Sequence, residues 1–137
     1  MIQQLQGFLT GALSTAIVLH LHAPALAGLV GVLLQEIGRG IAAIAFGSLG
    51  ASLGVLICEE ALLYEGNPYR TLVRLGLLLF PHLALGLLWQ RFKLYGGMVA
   101  IAEHLAWNQW FASPLGFVPV IGMGAIYYLL FLKKESI

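Results

Sequence analysis

Six apolar blocks follow one another along the chain, separated only by short polar or glycine- and proline-rich punctuation. Each block is close to the length needed to cross a hydrocarbon layer about 30 Å thick. The first, Gln4 to His22, predicts a helix ending in His20 and His22 before Pro24. No positive side chain precedes it in Met1 to Gly7, so it reads as a retained transmembrane helix, although Ala25-Leu26-Ala27 has the look of a signal-peptide cleavage site. The second, about Ala25 to Gly47, is interrupted by Gln35-Glu36-Ile37-Gly38-Arg39-Gly40. The third, Ser48 to Gly66, carries Gly50 and Gly54 as a G-x-x-x-G that favours close helix contact, and Gly66-Asn67-Pro68 predicts a turn. The fourth, about Tyr69 to Gln90, opens with Arg70 and Arg74 and contains Pro81-His82, where proline predicts a kink. Arg91-Phe92-Lys93 ends it at an interface. Tyr95 to Ser113 and Pro114 to Leu132 complete the set, with Trp107 and Trp110 as interfacial or packing aromatics and Lys133 and Lys134 at the end.

Composition agrees with this pattern. Hydrophobic residues make up 60% of the chain and charged residues 9%, against roughly 25% charged in a soluble domain. The expected fold is an all-α integral membrane protein, residues 1–137 forming a single domain of about six transmembrane helices in a compact bundle. A net charge of +1 supplies no basic stripe for nucleic acid. The one cysteine, Cys58, excludes an internal disulfide and a thiolate zinc site and reads as a small core hydrophobe. With six spans both termini share a side. Arg91, Lys93, Lys133 and Lys134 collect there, which predicts cytoplasmic ends.

The charged residues inside the apolar blocks carry the chemistry. Glu59 and Glu60 stand together with no basic residue near in sequence; such residues cost several kcal/mol in a bilayer and mark sites by default. Glu36 and Arg39, three apart, share a helix face and offset each other. They could equally be an ion pair that locks helices together. Gln35-Glu36-Ile37-Gly38-Arg39 lacks both histidines of a zinc-protease H-E-x-x-H and cannot hold zinc that way. His82, Glu103 and His104 add further titratable groups, and Asn108 projects from the same face as His104. If the four central blocks pack together, these side chains converge on one cavity. A glutamate there would activate water beside histidine, and a second histidine or an amide would stabilise an oxyanion.

The order of these segments resembles the PrsW-type glutamic intramembrane proteases, within the superfamily that includes the CAAX-processing proteases. The resemblance covers about Gly31 to Asn108. Gln35-Glu36-Ile37-Gly38-Arg39 stands where the family has E-E-x-x-K, and Gly54 to Tyr64 where it has a glycine-led helix with a glutamate-asparagine pair. Arg74 with His82-Leu-Ala-Leu-Gly86 matches the third segment and His104-Leu-Ala-Trp-Asn108 the fourth. Gln35 and Arg39 depart from the family pattern, Glu59-Glu60 replaces the glutamate-asparagine pair with either glutamate able to be the equivalent one, and Tyr64 stands where the CAAX proteases have arginine. The resemblance implies an endopeptidase in which Glu59 or Glu60 is the base with His82, His104 and Asn108 stabilise the oxyanion, and Glu36, Arg39 and Glu103 support them. The partner would be a membrane-protein substrate.

Two other functions compete. The superfamily contains a non-catalytic gamma-secretase subunit, so the polar set could be the interhelical glue of a scaffold in a larger membrane complex. His82 and His104 could also be axial ligands of a haem, or the carboxylates could hold an ion, although no haem attachment motif is present and no metal is required.

Overall fold

The computed structural model describes residues 1–22, 28–110 and 113–132. Pro24, Lys133, Lys134 and the side chains of His22 and Trp110 lie outside the described residues. Every regular element among the described residues is helical. The order is α1 (Ile2–His22), α2 (Leu29–Phe46), α3 (Ser48–Leu62), α4 (Pro68–Trp110), a 3₁₀ turn (Pro114–Gly116) and α5 (Phe117–Leu132).

The boundaries follow from local chemistry. Gly47 closes α2 and opens α3 with φ 105°, a backbone conformation open to glycine alone without strain, and its N–H bonds the Ala43 carbonyl at 3.0 Å. The third block stops being helical at Leu62, short of the expected Gly66, and Asn67 starts α4 by accepting the Arg70 N–H at 3.0 Å on its side chain. The helix runs on through Pro81. Its one non-helical residue within α4 is Lys93 (φ 52°, ψ −125°), so the fourth and fifth blocks form two limbs joined at a single residue. The second limb folds back onto the first. A Cβ on Gly96 would lie 1.9 Å from the Leu88 carbonyl, and one on Gly97 would lie 2.3 Å from the Trp89 ring.

Packing orders the elements around α3 and α4. α1 lies against α2 and α3; α4 packs on α2, α3 and α5. The G-x-x-x-G is the α1–α3 seam: a Cβ on Gly50 or Gly54 would meet the Gln4 or Phe8 carbonyl oxygen at 2.1 Å. Backbone cannot yield there as a side chain can. Gly54→Val is expected to lower stability by about 1–3 kcal/mol, read as a shifted unfolding midpoint in mixed micelles.

Polar and charged groups join an apolar core that includes Val32, Ala42, Val55 and Leu85, while large apolar side chains face outward. Gln35, Glu36, Arg39, His82 and His104 are buried, as are Thr15 and Ser52. Leu5, Leu9, Leu13 and Ile17 form an exposed row along α1, and Val30, Leu34, Ile37, Ile41 and Ile44 do the same along α2. Among the described residues two helices are long and apolar enough to cross a membrane, Leu29–Phe46 and Pro68–Gln109.

Candidate active site

The centre of the molecule is Glu36, whose residue is fully buried. Its spacing on α2 aligns it with Val32, Arg39 and Gly40, all buried on the face that meets α4. Arg39 donates to Oε1 at 2.5 Å, and His104 Nδ1 reaches the same oxygen at 2.7 Å. Trp89 Nε1 donates to Oε2 at 3.1 Å. Trp89 is held flat because Gly40 and Gly97 face its ring, where any Cβ would lie 2.5 Å or less from a ring atom. Three donors from three helical segments therefore converge on one carboxylate, and so satisfy it as an anion.

Arg39 links this centre to His82. Its second terminal nitrogen lies 2.9 Å from His82 Nδ1. A guanidinium only donates, so Nδ1 accepts and the proton of a neutral His82 sits on Nε2. That Nε2 lies 3.9 Å from Glu59 Oε2, too long for a direct hydrogen bond and suited to a water beside both. Glu59 is held in turn by the Gln35 side-chain amide, which donates to Oε2 at 2.9 Å. Its other oxygen, Oε1, has no protein donor among the described residues.

Arg39, Glu59, His82 and His104 form the polar wall of a cavity whose other wall includes Leu78, Pro81 and Met123. The space open to a water-sized occupant is about 20 Å³, room for about one water.

The sequence candidates divide cleanly. Glu36, Arg39, His82 and His104 meet, with Glu59 at the cavity edge. Glu60 does not join them: it turns to Arg74, which donates to both of its oxygens at 2.9–3.1 Å. Of the two glutamates, Glu59 is the one that lines the cavity. Asn108, half-buried, is not on the cavity wall, and Glu103 faces α5 in a separate groove. Glu36 and Arg39, expected as supporting residues, are the hub. Gln35 and Trp89 were not expected as partners. The signal for Trp89 was its seven-residue spacing from His82 with Gly86 between them, which puts all three on one helix face.

A haem does not fit this arrangement. The Arg39 bond puts a proton on His82 Nε2, the nitrogen that iron would need. Among the described residues no group of three His, Cys, Asp or Glu side chains is placed to hold a metal ion.

No protein-family model matches the sequence, and neither a curated protein nor a solved structure is significantly similar to it.

Proposed function

We propose that this chain is a multi-pass membrane protein of about six spans with cytoplasmic termini, and that Glu59 and His82 hydrolyse a peptide bond of another membrane protein. The site would lie within the bilayer, as in the PrsW-type proteases that the sequence resembles. Support for the membrane setting comes from the apolar rows that face outward and the seven polar or charged side chains named above that are buried.

The observation that carries the hydrolytic role is the Arg39–His82 hydrogen bond. It directs a neutral N–H, not a lone pair, towards the Glu59 carboxylate across a water-sized space. In the proposed reaction Glu59 Oε1 takes a proton from water as the water oxygen bonds to the scissile carbonyl carbon. His82 Nε2–H stabilises the oxyanion that develops. Collapse of the tetrahedral species breaks the C–N bond, and the proton held by Glu59 passes to the leaving nitrogen. Glu59 returns to carboxylate, leaving one new carboxyl and one new amino terminus. Glu36 keeps Arg39 and His104 in place throughout and transfers no proton.

Comparison of new protein termini in membranes containing wild type, Glu59→Gln or Glu60→Gln tests the proposal. Termini that depend on Glu59 and survive loss of Glu60 are the expected outcome. The same termini in all three membranes would remove Glu59 from the chemistry.

One observation favours a second function. The Glu36 hub ties α2 to both limbs of α4 with no help from Glu59, as the polar lock of a non-catalytic subunit would. In that case Glu59→Gln changes no terminus, while Glu36→Ala disrupts assembly.

A further inference from the structure

Between the second limb of α4 and α5 lies an apolar groove of about 570 Å³. Met98, Ala102 and Ala106 of the second α4 limb and Val118 and Gly122 of α5 line it. One charged group stands in it, the half-buried Glu103, whose carboxylate would lie 3.8 Å from a Cβ on Gly122.

Every other carboxylate among the described residues has a polar partner. Glu36 is met by Arg39 and His104, Glu60 by Arg74, Glu65 by Arg70 and Glu59 by the Gln35 amide. No cation among the described residues lies against Glu103. It sits near the middle of the second limb, residues 94–110. In a span, an ionised carboxylate at that depth costs several kcal/mol unless paired. A lysine or arginine within another helix carries the same penalty, and pairing relieves both.

We infer that this groove docks a transmembrane helix of another protein that carries a lysine or arginine within its apolar span, with Glu103 as the counter-charge. Ala102, Ala106 and Gly122 leave room for its backbone to come close. A second copy of this chain fits less well, because Arg39 and Arg74 are already engaged, by Glu36 and Glu60, and Arg91 and Lys93 stand at the junction of the two α4 limbs and not in the middle of either. A helix so docked would run alongside the candidate active site, since Glu103 precedes His104 and Gly122 precedes Met123 on the cavity wall. The inference rests on the membrane-spanning proposal and not on hydrolysis.

The test places the full chain in phosphatidylcholine vesicles with dye-labelled single-span peptides of leucine and alanine. One peptide has a central lysine, the other norleucine. Association is read by energy transfer for wild type, Glu103→Gln and Glu59→Gln. Wild type and Glu59→Gln are expected to prefer the lysine peptide by about tenfold, and Glu103→Gln to lose that preference. Equal association of both peptides with wild type overturns the inference. So does a preference that survives Glu103→Gln or vanishes in Glu59→Gln. Because Glu59→Gln cannot hydrolyse by the proposed route, docking in that variant stands or falls separately from cleavage. Extraction of the wild-type chain from vesicles by alkaline carbonate marks the remaining case, failure of the spanning proposal itself, and overturns the inference with it.

Discussion

Glu36→Ala is expected to lower the unfolding free energy by about 3–5 kcal/mol. The substitution leaves Arg39 charged and fully buried, and strips the acceptor from His104 Nδ1 and Trp89 Nε1. Arg39 Nε already has no hydrogen-bond partner among the described residues, so the guanidinium has little else to lean on. Most of the cost is the uncompensated cation and not the lost attraction. Exchange of both partners, Glu36→Leu with Arg39→Leu, is therefore expected to destabilise less than Glu36→Ala alone. Titration with a denaturing detergent from mixed micelles reads both values. A loss below about 1 kcal/mol for Glu36→Ala, the range of an exposed pair, would place the hub in contact with water and contradict its burial.

Glu59→Gln is expected to lower peptide hydrolysis by about 10²–10⁴-fold, the usual contribution of a general base. The fold should survive the change, because Glu59 is partly exposed and a glutamine can still accept from Gln35. His82→Ala removes the oxyanion donor and is expected to cost about 10²–10³-fold. Groups that act on one transition state are not additive, so the double variant should be little worse than Glu59→Gln alone. Initial cleavage rates at matched protein amounts measure all three. Fully multiplicative losses would mean that Glu59 and His82 act on different steps.

Much of the fold was legible because the blocks and their punctuation are strong signals. Gly47 and the Gly66-Asn67-Pro68 turn sit beside the helix ends observed. The close helix contact that Gly50 and Gly54 predict is made, but that α1 is the partner was not visible in the sequence. The reversal at Lys93 was not, since a lysine at positive φ has no sequence signature and the reversal is held by Gly96 and Gly97 against the first limb. Of the site, residue types on successive blocks announced Glu36, Arg39, His82 and His104. Their division of labour was hidden. Adjacent residues on a helix point about 100° apart, so Glu59 and Glu60 face different neighbours, but only the position of Arg74 decides which one turns away from the cavity. The same argument separates Glu103 from His104. Which nitrogen of His82 carries a proton is a consequence of Arg39, forty-three residues away in sequence.

The most direct test of the account is cleavage in water enriched in oxygen-18, with mass spectrometry of the new carboxyl ends formed in membranes that contain wild type or Glu59→Gln. The account predicts ends that carry one heavy oxygen from water with wild type and are lost with Glu59→Gln. Labelled ends that form equally well with the variant would contradict the assignment of Glu59 as the base that activates water.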